Sequence, residues 1–293
     1  TLNVKLAWTR SGIADIGNDG NGINFGQPIS MNALTTAVPG GVAGTFTVTS
    51  TVAIPATQTG TLRVMMDGHP AGDVTTPGIF TDRLAATSVF RDFAITGTVV
   101  ARRQVVDIAN CKACHDVLSL HEANRNDEPG VCVVCHNPNA TDAGQRPSSG
   151  GLLTGGVDGK LEEAIDFKTM IHGIHAGQES EGGFRENGIV VYGFNGSVHD
   201  FSRVVFPGKL GNCAACHTGT SYQLTGSWAS PTANGILGTT TSTGASTSDA
   251  ADNLRTSPTA AVCSACHDRF ELQVHMTGWG AQFSVTQAAI NGG

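Results

Sequence analysis

Eight cysteines occur only as Cys111/Cys114, Cys132/Cys135, Cys213/Cys216 and Cys263/Cys266, and a histidine follows each pair at once: His115, His136, His217 and His267. Three chemistries use a C-x-x-C pair. Vicinal disulfides would staple only tiny loops and would leave the histidines without a task. Zinc fits one spacing, because 17 residues separate Cys114 from Cys132, within the range of a zinc ribbon. The other two pairs stand 46 residues apart, and zinc gives no reason for a histidine after every pair. Covalent haem accounts for the whole pattern. Over one helical turn, residues i, i+3 and i+4 share a face, so both thiols can form thioethers with one macrocycle while the imidazole reaches its iron. C-x-x-C-H is the c-type attachment signal. With 10 histidines in 293 residues, four in these slots by chance has odds of roughly one in a million. The pattern predicts four covalently bound haem c groups.

Each of four irons wants a second axial ligand, and six histidines remain for the task. His172 and His175 sit in KTMIHGIHAG, preceded by LEEAIDF, and the stretch reads as a short helix. At i, i+3 they point the same way, so they cannot flank one iron; as ligands they must serve different haems lying close together. His121 stands six residues after its attachment motif and is better placed to reach a neighbouring haem than its own. His275, in ELQVHMTG, is a fourth candidate, and His199 is a spare that serves equally well as a loop residue. His69, in MMDGHPAGD, reads as a turn residue. Met170 and Met276 read as packing residues. Enough histidines to close every iron favours electron transfer over catalysis, because a reaction centre must leave one axial position open.

The elements that hold these residues divide the chain in two. NVKLAWT, GTFTVTSTVAI, GTLRVMMDG and SVFRDFAITGTVVARR are β-branched, partly alternating and bounded by Gly, Pro and Asn. They predict a mostly β N-terminal domain, a sandwich or open barrel, over residues 1–103. Residues 104–293 predict a loop-rich, short-helix multihaem cytochrome domain. DIGNDGNGINFG is rich in Asp and Asn and offers a weak calcium site, though its order does not match an EF-hand loop. Ser230 to Asn253 is Ser/Thr/Gly-rich and reads as a surface loop. Asn139-Ala140-Thr141 and Asn195-Gly196-Ser197 match the glycosylation acceptor pattern. The formal charge of −7, with no basic cluster longer than Arg102-Arg103, argues against a nucleic-acid partner. No apolar run approaches the ~18 residues of a membrane helix. The start lacks a charged and then apolar leader, which predicts an export signal already removed.

RRQVVDIANCKACHDVLSLHEANRND, VCVVCHNPNATD, FKTMIHGIHAG, VVFPGKLGNCAACHT, AVCSACHD and VHMTG follow in that order. This succession resembles one half of the outer-surface multihaem cytochromes of the OmcA/MtrC family, over roughly residues 102 to 280. The resemblance implies a β-domain paired with a haem domain, and a secreted protein at the outer cell surface, with the periplasm as second choice. It implies other multihaem cytochromes and extracellular metal or mineral acceptors as partners. It also suggests His121, His172, His175 and His275 as distal ligands. The family half-unit carries five haems, and the fifth attachment motif is absent here. A truncated chain, a four-haem relative, or a spare His199 reaching a haem of a neighbouring copy in a homo-polymer would each account for that. The expected function is extracytoplasmic electron conduction by hopping between closely spaced bis-histidine haems, not enzyme catalysis. The alternatives are a filament subunit, a reductase with one open iron, and a zinc-binding module.

Overall fold

Alternation along LNVKLAW and TLRVMMDG builds the two central strands of an N-terminal sheet. In the computed structural model, which describes residues 1–9, 15–17, 26–72, 82–177, 185–223, 237–244, 250–286 and 289–290, β1 (Leu2–Trp8) lies between β2 (Ile29–Asn32) and β3 (Thr61–Gly68). Strand β4 (Val89–Ala94) pairs with β3, so the antiparallel order is β2-β1-β3-β4. The sheet is open. Helix α1 (Ala33–Thr36) follows β2 and is capped by the Asn32 side chain, which accepts from the Leu34 amide.

On β3 the buried face carries Thr61, Arg63, Met65 and Asp67, an unusually polar set. The charges there are paired. Arg63 grips Asp92 through Nε and Nη2, each at 2.8 Å, and its Nη1 donates to the Gly130 carbonyl at 2.9 Å. Asp15, the one acidic residue described in its segment, pairs with Arg102 at 2.8 Å. The calcium expectation rests mainly on residues 18–25, which lie outside the described residues.

The same face supplies the main apolar cluster. Ala7 and Met65 of the sheet and Ile16 pack against Val131, Val133 and Val134 of α3 (Pro129–Cys135), with Phe167 at its margin. The valines of PGVCVVC thus lie against the β-sheet. The second attachment turn is therefore built directly onto the N-terminal sheet.

Beyond residue 103 the elements are short: α2 (Ile108–Cys111), α4 (Phe167–Ala176), α5 (Pro258–Cys266) and α6 (Phe270–Gly278), with small antiparallel pairings between them. Strands β5 (Val190–Gly193) and β6 (Ser197–Asp200) form a hairpin. Strands β7 (Thr239–Ser242), β8 (Leu254–Thr256) and β9 (Val285–Thr286) form a small sheet. The strand-rich first part and the loop-rich remainder with short helices agree with the sequence reading.

Three local expectations differ. GTFTVTSTVAI forms only the two-residue pairing of Phe46–Thr47 with Val38–Pro39, because its β-branched residues find no sheet to join and Phe46 stays 71% exposed. The Thr-rich stretch read as surface loop contains β7, where Thr239 and Thr240 are buried; residues 230–236 and 245–249 lie outside the described residues. Asn139 is buried, with its Nδ2 donating to the Gly17 carbonyl, so it does not present a glycosylation acceptor.

Candidate functional site

All four C-x-x-C-H motifs adopt the same closed turn. In each, the histidine amide donates to the carbonyl of the first cysteine: His115 to Cys111 at 3.0 Å, His136 to Cys132 at 2.9 Å, His217 to Cys213 at 3.0 Å and His267 to Cys263 at 2.8 Å. Local sequence explains the turns. Asp107 caps α2 through the Ala109 amide, Glu128 caps α3 ahead of Pro129, and Pro258 opens α5. The third motif is a single 3₁₀ turn, Cys213–Ala215.

No two of the eight thiols are bridged. Burial pushes the Cys132 thiol up to about 12 and raises Cys111, Cys135, Cys216, Cys263 and Cys266 as well. Among the described residues no three His, Cys, Asp or Glu side chains gather to hold a metal ion.

The distal candidates meet the attachment histidines in three pairs. His121 and His136 have ring centroids 6.0 Å apart, His172 and His217 also 6.0 Å, and His115 and His175 6.1 Å. An iron between two imidazoles needs about 2 Å to each nitrogen and about 1.2 Å more to each ring centre, roughly 6.3 Å in all. The three separations fit that requirement.

Proton positions fit it too. The Nδ1–H of His136 donates to the Ile165 carbonyl at 2.9 Å, that of His172 to Lys168 at 2.6 Å and that of His175 to Ile171 at 2.9 Å. A carbonyl only accepts, so Nδ1 carries the proton and Nε2 keeps its lone pair. Burial depresses His136, His172 and His217, and brings His121 down to about 4, so these rings are neutral near pH 7.

Helix α4 is the hub of the arrangement. It places His172 beside His217 and His175 beside His115. Its Phe167 amide donates to the His136 carbonyl at 3.0 Å, and Cys266 Sγ faces the His172 carbonyl at 4.0 Å. The first and third turns are tied directly, since Asn110 Nδ2 donates to the Cys216 carbonyl at 3.1 Å. Between the two α4 histidines lies Gly173, which lets α4 approach Ile189 and α5. A Cβ there would sit 3.1 Å from Ile189 Cδ1 and 3.4 Å from Arg185 Nη1. Gly173→Leu is expected to destabilise the haem-loaded protein by about 1–3 kcal/mol through overpacking, read in its thermal unfolding.

His121 is held by a strained turn. His121, Glu122 and Ala123 have φ of 54°, 60° and 64°, a left-handed run costing about 1–2 kcal/mol per residue without glycine. One hydrogen bond ties the turn to the N-terminal sheet: the Gly68 amide donates to the Asn124 carbonyl at 2.9 Å. Within the segment Asn126 Nδ2 donates to the Ala123 carbonyl at 2.7 Å, and Glu122 pairs with Arg83. Sequence inspection missed this turn, because nothing in HEA signals positive φ.

The other candidates lie elsewhere. His275 is on α6 with its ring 6.4 Å from Trp279. His199, on β6, bonds Ser197 Oγ through Nε2 at 3.1 Å and stacks on Phe201. His69 is a half-buried residue just after β3, with its Nδ1 3.3 Å from the Pro70 carbonyl. His267 ends α5, followed by Asp268, whose carboxylate accepts from the Glu186 and Asn187 amides at 2.6 and 3.1 Å.

Four C-x-x-C-H turns on a loop-rich scaffold, three of them with a second imidazole about 6 Å from the motif histidine, fit the class of c-type cytochromes. Residues 103–292, about two-thirds of its length, match the family described as outer membrane cytochrome MtrC/MtrF-like, domains II/IV, and the chain belongs to that family. Covalently bound haem c is the cofactor this membership implies. A crystal structure of MtrC from Shewanella baltica OS185 shares the fold at a TM-score of 0.55 and 14% identity, over 99% of this chain and 43% of that one. The chain thus spans less than half the length of that structure. No curated protein matches it. Among the described residues no helix is long and apolar enough to cross a membrane.

Proposed function

We propose that this chain is a tetrahaem electron-transfer unit working at the outer cell surface, exchanging electrons with other multihaem cytochromes and with extracellular metal or mineral acceptors. The observation that carries this reading is the set of three histidine pairs at 6.0–6.1 Å with Nε2 free on the distal rings of α4. Bound haem supplies the reversible ferric/ferrous couple, and hopping between neighbouring irons is the transfer assigned to it. The chain's own work is positional. Cys111 with Cys114, Cys132 with Cys135, Cys213 with Cys216, and Cys263 with Cys266 would hold four haems, with His115, His136, His217 and His267 as their motif ligands. His175, His121 and His172 would be the second ligands of the first three, and His275, on the helix that follows His267, is assigned to the fourth. His199 is left as a spare. The reading divides the chain into a β-domain, 1–103, and a haem domain, 104–293, with the sheet serving as the seat of the second turn.

The fully oxidised, haem-loaded protein is expected to show four haems by mass, every one low-spin in its electron paramagnetic resonance spectrum. A quarter of the iron in a high-spin signal would mean an open axial position. The reductase reading would then replace the electron carrier.

A further inference from the structure

Next to the second turn lies a buried charge cluster that no attachment or ligand role uses. Asp67, on β3, has a side chain with no exposed surface; its Oδ2 meets Arg125 Nη2 at 2.7 Å and Lys5 Nζ at 3.7 Å. Its Oδ1 accepts from Asn3 Nδ2 at 3.0 Å. Arg125 pairs in register with Leu120, the residue before His121, and stands just ahead of α3, which carries Cys132 and Cys135. Its Nε is buried and meets no acceptor among the described residues. Two cations against one carboxylate leave one net positive charge beside the His121–His136 pair.

We propose that Arg125, clamped by Asp67 of the N-terminal sheet, raises the reduction potential of the haem carried by Cys132 and Cys135. The inference rests on the assignment of His121 and His136 to that one haem. The physical reason is Coulombic. Reduction of the iron adds an electron to the site, and a fixed cation in a low-dielectric surrounding favours the more negative state. Arg125 is a positioning residue in this sense: it acts on the haem through its charge, not by ligation. The N-terminal sheet supplies Asp67 and Lys5, and so sets the driving force at one haem as well as its place.

The test is a spectroelectrochemical titration of the haem-loaded protein and two variants of opposite sign. Arg125→Gln is expected to lower one midpoint potential, cutting the reduced-to-oxidised ratio of that haem about tenfold at a fixed potential, or about 59 mV for one electron. Asp67→Asn, which removes the anion, is expected to shift the same haem upward, and Arg125→Lys to hold it near its original value. A merely structural role would move the first two in the same direction. That result, or potentials unmoved by both, overturns the inference. The haem concerned is identified in His121→Ala as the one that loses its low-spin signal. If no haem changes spin there, the ligand assignment fails and this inference with it. A spin change in His121→Ala with potentials unmoved in Arg125→Gln overturns this inference alone.

Discussion

Replacing His172 with alanine is expected to turn one haem high-spin, the one carried by Cys213 and Cys216, and to leave the haem on Cys111 and Cys114 low-spin. His175→Ala is expected to do the reverse. The two residues are three apart on α4, so sequence neighbours are assigned to different irons by what faces them: His217 at 6.0 Å and His115 at 6.1 Å. The Nδ1–H of each is taken by a backbone carbonyl one turn earlier, which fixes the ring with Nε2 outward. Alanine removes the donor and leaves no other described histidine ring at that iron's attachment histidine. The check is electron paramagnetic resonance of the oxidised variants, with each haem traced by the matching cysteine-to-alanine pair. If both variants changed the same haem, the division of labour along α4 would be wrong.

The second large effect falls outside the ligand set. Arg146→Met is expected to destabilise the haem-loaded protein by about 3–5 kcal/mol, the range for removing one partner of a buried ion pair. The Arg146 side chain has no exposed surface. Its Nε lies 2.9 Å from both oxygens of Asp142, Nη1 lies 2.6 Å from Asp158, and the fork also reaches the carbonyls of Lys160 and Val190. Asp142 in turn accepts from the amides of Glu163 and Tyr192 at 2.7 and 2.9 Å. This one arginine therefore joins the segment after the second turn, the turn at Asp158–Lys160 that precedes α4, and the β5–β6 hairpin. Methionine would leave the Asp142 carboxylate buried against amides alone, and burial already pushes that group up. Guanidinium unfolding of the haem-loaded variant reads the cost. Adding Asp142→Asn is expected to cost less than the sum of the two single changes, because the neutral amide removes the stranded charge. A loss below about 1 kcal/mol for Arg146→Met would place the network among weak surface pairs instead.

The four C-x-x-C-H turns were legible in the sequence because the pattern is local: five consecutive residues fix each closed turn. The helix under KTMIHGIHAG was legible for the same reason, although LEEAIDF before it is extended and pairs Ala164 with Thr141. The pairings of histidine rings were not legible. They depend on how α4 crosses three separate turns, a long-range arrangement that periodicity does not encode. Propensity also failed where no partner strand was present, as in GTFTVTSTVAI, and where burial overrode composition, as in the Thr-rich β7. The Lys5–Asp67–Arg125 cluster was invisible because its members come from three distant stretches of a chain with only 14% charged residues.

Helix α4 holds His172 and His175 on one rod, three positions apart and hence separated by a rise of about 4.5 Å. If both residues are ligands, as proposed, the spacing between their two irons would be set by a standard helical dimension and not by the lengths of the loops around it. A one-residue insertion inside the helix, between His172 and His175, would swing one imidazole by about 100° and, on that assignment, carry it away from its iron.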